Sequence, residues 1–143
     1  MPAAYDPNNI FAKIIRGEIP SYKIFETDDV LAILDAFPCA PGHSLLIPKN
    51  CQEQSIETMS PEASAKLFAE LPKLCQIVKK ATKCDAVNIL SNLGAEAGQM
   101  VFHPHIHVIP RVAEDGLIKH PPAVNGMVDK EDALKMLEAM KAE

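Results

Sequence analysis

At 143 residues the chain is long enough for one domain with a real core and too short for two comfortable ones. Its mean hydropathy of +0.01 is that of an ordinary globular protein, neither disordered nor membrane-bound, and no apolar run approaches the ~20 residues that span a bilayer. A net charge of −5 argues against a nucleic-acid backbone as the main partner, which would need a basic footprint, but leaves room for a small phosphate ligand held by a few local donors.

The first nine residues have neither a basic end nor an apolar stretch, and no Arg-rich amphipathic presequence follows, so a cytoplasmic location is expected. The four cysteines, Cys39, Cys51, Cys75 and Cys84, form no Cys-x-x-Cys pair and read as free thiols in a reducing compartment. From Asn8 to Arg16, apolar Ile10, Phe11, Ile14 and Ile15 recur at helical spacing, with Asn8 or Asn9 to cap the start and Gly17 to end it. Tyr22 to Glu26 and Val30 to Leu34 flank Thr27, Asp28 and Asp29 and predict a β-hairpin. The Pro41-Gly42 turn leads into a third strand, His43 to Ile47, closed by Pro48.

Ser60, Pro61 and Glu62 predict a helix start, and Ala63, Leu67, Leu71, Leu74 and Val78 form its apolar stripe, with Pro72 expected to kink or split it. Ala86 to Ser91 is a fourth strand, Asn92 to Gly98 a glycine-bearing loop, and Val101 to Arg111 contains the fifth strand. Asp129 to Ala142 predicts a C-terminal helix with Leu134, Leu137 and Met140 on one side. Helix, three strands, helix, two strands and a tail make an α+β pattern with an antiparallel sheet, expected as one domain with its core in residues 8–111 and a tail over 112–143.

The chemistry concentrates in Gly98 to Arg111. In an extended chain, residues two apart share a face, so His103, His105 and His107 line one side, with Gln99 and Val101 in phase if the extension reaches them, while Ile106 and Val108 face a core. Three imidazoles on one face are too polar to pack as core without partners. Alternating histidines can supply metal ligands, with His43 or Cys51 arriving from elsewhere. They can equally do phosphate chemistry, one neutral imidazole attacking phosphorus while its neighbours donate to the non-bridging oxygens.

The stretch His103 to Ile109 (HPHIHVI) resembles the motif of the histidine triad (HIT) superfamily of nucleotide hydrolases and transferases. Ile10 to Pro20 (IFAKIIRGEIP) is similar to that family's opening segment, Leu34 to His43 (LDAFPCAPGH) with Leu45 to Lys49 (LLIPK) to its second block, and Asn88 to Gln99 to the loop entering the triad. The nearest resemblance is to the Hint-like branch, the purine nucleoside phosphoramidases. It implies a HIT-like α+β fold, a five-stranded antiparallel sheet with a long packed helix, pairing into a two-fold homodimer.

The resemblance also implies roles. His105 becomes the nucleophile, His103 and His107 hold and polarise the phosphate, and His43 supports them. Asn92 and Gln99 line the phosphate and leaving-group side. Asp35 accepts from both ribose hydroxyls, a geometry two carboxylate oxygens suit, and Ile10, Phe11, Ile14 and Ile19 sandwich the base. The expected reaction is hydrolysis at the α-phosphate of a purine nucleotide such as a nucleoside 5'-phosphoramidate, through a nucleotidyl-histidine, releasing AMP with no cofactor. A diadenosine polyphosphate hydrolase and a nucleotide-binding adaptor with weak turnover are the alternatives. No nucleic-acid or membrane partner is expected.

Three features depart from the family pattern. Some relatives hold a structural zinc where this chain has Asn9, Ala12 and Cys51, so no metal site is expected. Met100 stands where many relatives have a hydroxyl that helps at the leaving group. Pro104 lacks an N–H, so the regular ladder should begin after His103 or lack a partner there.

Overall fold

The computed structural model describes residues 4–117 and 119–141. The first helix, α1 (Ile10–Ile15), begins where the Asn9 side chain accepts a hydrogen bond from the Ala12 N–H at 2.9 Å. Gly17, at φ +80°, turns the chain away from it. β1 (Lys23–Glu26) and β2 (Val30–Leu34) are joined by a turn in which the Thr27 hydroxyl accepts from the N–H groups of Asp29 and Val30. β3 (Ser44–Pro48), β4 (Ala86–Leu90) and β5 (Ile106–Arg111) complete a five-stranded antiparallel sheet in the order β1-β2-β3-β5-β4.

Alternation along the strands divides the core in two. Val30, Ala32, Leu46, Ile106 and Val108 face Leu67, Leu74 and Val78 of the helical layer. Leu31, Ile33, Leu45 and Ile47 face Phe11 on α1, with Ile14, Ile15 and Val101 packed alongside. The sheet is thus buried on both sides at its centre, which is why β2 and β3 read as unbroken apolar runs.

The long helix expected after Ser60 is two helices in direct succession, α2 (Pro61–Ala69) and α3 (Leu71–Thr82), broken at Glu70. Pro72 lies in the first turn of α3, where its missing N–H would have had no intrahelical acceptor. α4 (Lys130–Lys141) buries none of its described residues and exposes Leu134, Leu137 and Met140. Ala142, the last residue expected in that helix, lies outside the described residues.

The fifth strand is shorter than the extended stretch expected from Val101. Its ladder starts at Ile106, two residues beyond Pro104, so His103 and His105 precede it and only His107 is a strand residue. β5 lies beside β3, where Leu45 pairs with His107 and Ser44 with Val108. That neighbour relation brings His43, at the entrance to β3, against the triad.

The turn that delivers His43 depends on Gly42, at φ +89°, where a Cβ would run into the Thr82 Cγ2. Thr82 cannot easily swing away, because its hydroxyl donates to the Val78 carbonyl at 2.7 Å. Gly42→Ala should therefore cost about 2–4 kcal/mol, combining the left-handed backbone penalty with overpacking. Denaturant unfolding measures this, and a variant as stable as the parent would contradict the packing described.

Candidate active site

Beside α1 and the mouth of the β3–β5 pair lies a cavity of about 540 Å³. Ile10, Phe11 and Ile14 form one wall, Ile33 and Leu45 its floor, and Tyr22, Phe37 and Met100 are exposed at its lip. Asp35, His43, His105, His107 and Asn92 bring polar atoms to it. Of the residues singled out in the sequence, Ile19, Gln99 and His103 do not line it.

Each absence has a physical reason. Gln99 is buried, and its amide is engaged within the protein: Oε1 accepts from the Gly94 N–H at 2.8 Å, while Nε2 donates to the carbonyls of Gln54 at 2.6 Å and Val101 at 3.1 Å. It ties the loop before the triad instead of facing a ligand. His103 is 1% exposed, and both ring nitrogens have protein partners, Nε2 donating to the Pro48 carbonyl at 2.9 Å and Nδ1 accepting from the Tyr5 hydroxyl at 2.8 Å. In this arrangement the His103 ring brings no free nitrogen to the cavity, whereas the resemblance implied a phosphate contact for both outer histidines. Ile19 is half-buried outside the cavity wall, past the turn at Gly17.

What His103 offers the site is its backbone. Nδ1 of His105 lies 2.7 Å from the His103 carbonyl, which can only accept, so that nitrogen carries the proton and Nε2 is left with its lone pair. The Ser91 hydroxyl donates to the His105 carbonyl at 2.7 Å, and the Phe11 ring meets the imidazole edge-on at 4.8 Å between centroids. The residue is held at its carbonyl, at Nδ1 and at its ring face.

A second chain of hydrogen bonds sets the remaining protons. The Cys39 N–H donates to Nδ1 of His43 at 3.2 Å, so the neutral ring carries its proton on Nε2. That proton points to Nδ1 of His107 at 2.9 Å, which leaves the His107 proton on its own Nε2. Asp35 Oδ2 stands 3.4 Å from His43 Nε2 and 4.0 Å from His107 Nδ1, and its Oδ1 accepts from the Phe37 N–H at 2.8 Å. The cavity therefore holds a bare nitrogen on His105 and an N–H on His107, with ring centroids 5.0 Å apart.

The ligand atoms of Asp35, His43 and His107 fall within 4.8 Å of one another, a spacing that could hold a metal ion. The tautomers work against it. A metal would need the His43 Nε2 lone pair, forcing the ring proton onto Nδ1, where it would oppose the Cys39 N–H. The cluster is better suited to hydrogen bonding than to ligation.

Burial pushes His43, His103 and His105 below the ordinary histidine value, with Asp35 and the accepting carbonyls opposing it only in part. His107 is pushed down to about 4, first by burial and then by the His105 and His43 rings. All four are neutral at pH 7.

With this geometry in view, comparison places the chain. A family model described as the HIT domain matches residues 16–114, and the chain belongs to the HIT family, most of whose members are nucleotide hydrolases. It is similar to an Arabidopsis thaliana protein named adenylylsulfatase HINT3, 45% identical over 76% of this chain, which spans only 54% of that relative's length. It is similar to the Saccharomyces cerevisiae adenosine 5'-monophosphoramidase HNT1, 39% identical over 90% of this chain and 79% of that protein. A crystal structure of a HIT family protein from Bacillus anthracis superposes with a TM-score of 0.85 at 35% identity, covering 96% of both chains.

Ser91, Tyr5, the Cys39 N–H and the Pro48 and His103 carbonyls are the parts of the site that sequence reasoning missed. Three of the five are backbone groups, which no side-chain pattern announces. Ser91, directly after the fourth strand, had a weak positional signal.

The lowered histidine values make stability depend on pH in a defined direction. In the unfolded chain these rings take up protons near 6.5, while folded His107 resists until about 4, so the unfolded state binds more protons between those values. Stability should fall as pH drops through that window. Melting temperatures measured from pH 7 to 4.5 should decline, less steeply in His107→Asn; parallel curves would show that His107 titrates as an ordinary histidine.

Proposed function

We propose that this protein hydrolyses purine nucleotides at the α-phosphate through a nucleotidyl intermediate on His105. The observation that carries the reading is the 2.7 Å bond from His105 Nδ1 to the His103 carbonyl, which leaves an unprotonated Nε2 in the cavity. In the first displacement that lone pair forms the N–P bond and the bond to the leaving group breaks. The His107 Nε2–H donates to the phosphate as charge builds on it, and His43 behind His107 holds its tautomer. Water then displaces His105 and releases the nucleoside monophosphate.

Asp35 takes the ribose hydroxyls, and Ile10, Phe11 and Ile14 pack on the purine. Asn92 and Met100 flank the leaving group. The leaving group itself is an amine or a comparable substituent, a reading supported by the yeast relative's name, while the Arabidopsis relative's name points to sulfate. No metal takes part, since the His107 N–H and neighbouring dipoles meet the phosphate charge. We also place the active form as a homodimer, which fits an outer strand β4 with Ile89 52% exposed and a C-terminal helix with bare apolar residues. The free cysteines fit a cytoplasmic setting. Among the described residues, no helix is long and apolar enough to cross a membrane.

Incubation with adenosine 5'-phosphoramidate should release AMP at the same rate with and without EDTA. His105→Ala should release none, and His107→Asn should slow turnover by about 10²–10⁴-fold. Full activity in His105→Ala would overturn the nucleophile. Turnover of diadenosine polyphosphates alone would change the leaving group, and tight AMP binding without any turnover would make the protein a binding module.

A further inference from the structure

Tyr5 reaches across 98 residues of sequence to His103, where its hydroxyl lies 2.8 Å from Nδ1 with the rings tilted at 52°. The segment carrying it is tied to the body. Gln54 Nε2 donates to the Ala4 carbonyl at 3.2 Å, and the Arg16 guanidinium donates to the Pro7 carbonyl at 2.7 Å. On the far side of the same imidazole, Nε2 donates to the Pro48 carbonyl at 2.9 Å. That carbonyl can only accept, so His103 must carry its proton on Nε2, and Nδ1 needs a donor. Tyr5 supplies it.

Building on the reading of His105 as nucleophile, we propose that Tyr5 is a positioning residue: its hydroxyl locks His103 as the neutral Nε2–H tautomer and thereby fixes the carbonyl that aims His105. The imidazole is clamped at both ends, by a side chain from the start of the chain and by a carbonyl at the end of β3. Pro104 removes one backbone freedom between the clamped residue and the nucleophile. A backbone shift at His103 that broke the ring's two hydrogen bonds would also carry its carbonyl off the His105 N–H and release the nucleophile's tautomer.

The surroundings make the hydroxyl matter. Behind His103 lies a cavity of about 440 Å³, also lined by Tyr5, Arg16, Lys49 and Cys51. Arg16 pairs with Glu18 and Lys49 with Glu26, and from the remaining sides the ring meets Phe11 and His105. Without the hydroxyl, Nδ1 would be a buried acceptor lacking its partner, free to take a proton from water in that cavity. A cationic His103 beside His105 would draw electron density from the nucleophile. A hydrogen bond donated to the neutral ring opposes that protonation, in the same direction as burial.

Tyr5→Phe keeps the ring and removes only the oxygen, and Tyr5 lies outside both core clusters, so the variant should fold. Nitrogen-15 NMR should show His103 of the variant taking up a proton at higher pH than in the parent. Rapid-quench measurement with adenosine 5'-phosphoramidate should show the nucleotidyl-enzyme forming roughly tenfold more slowly, about what one hydrogen bond supplies, with AMP affinity unchanged. The acid limb of the rate profile should move up with the His103 titration. An unchanged His103 titration, or a loss of rate matched by equal losses of AMP affinity and melting temperature, would reduce Tyr5 to packing. If the parent forms no nucleotidyl-enzyme, the catalytic reading fails by itself, and the His103 titration alone decides the role of Tyr5.

Discussion

The His103 carbonyl accepts from Nδ1 of His105 at 2.7 Å, and a neutral imidazole has one proton to place, so this bond decides which nitrogen of His105 keeps its lone pair. The other features of the site converge on it. Pro48 and Tyr5 immobilise the residue that owns the carbonyl, Ser91 holds the carbonyl of His105 itself, and Phe11 limits rotation of its ring. Burial keeps the rings uncharged, so the lone pair is available at neutral pH. A parallel set of bonds, from the Cys39 N–H through His43 to His107, places a proton where the first set places a lone pair. An N–H on His107 and a lone pair on His105 are both set by the protein's own hydrogen bonds, the kind of preorganisation from which enzymes gain electrostatic stabilisation.

The fold makes this arrangement affordable in polar groups. The triad enters at the point where the chain joins the sheet, so carbonyls not yet committed to the ladder are available to orient imidazoles. Had the ladder run through His103, it would have competed for that residue's carbonyl. Pro104 helps keep that segment out of regular pairing, since it has no N–H to contribute. Two residues beyond Pro104 the strand begins, with Ile106 and Val108 anchoring it in the helix-covered core, while His107 projects from the opposite face above Leu45. The core therefore sets the height and direction of the histidines, and among the described residues no buried side-chain nitrogen or oxygen is left without a partner.

Much of the fold was legible because apolar periodicity is a direct consequence of burial. The apolar runs of β2 and β3, the Asn9 and Ser60 caps and the break near Pro72 all follow from local chemistry. The order of the sheet was not, since nothing local to β3 states that β5 and not β4 lies beside it. In the site, His103, His105 and His107 stood out by their alternation, and Asp35, His43 and the α1 residues by resemblance; Asp35, His43, His105, His107, Ile10, Phe11 and Ile14 share one cavity. His103 and Gln99 lie off that cavity for a common reason: spacing says which way a side chain points in an ideal strand, but not which backbone groups wait for it. Tyr5 was invisible, because its contact depends on how the chain returns across the whole domain.

The hydrogen bonds place one proton on each of the four rings, and nitrogen-15 NMR of the histidine rings at pH 7 reads them directly. The account predicts His105 protonated on Nδ1 and bare on Nε2, with His43, His103 and His107 protonated on Nε2. A His105 ring carrying its proton on Nε2, or a charged ring among the four, would contradict it and remove the lone pair on which the proposed nucleophile rests.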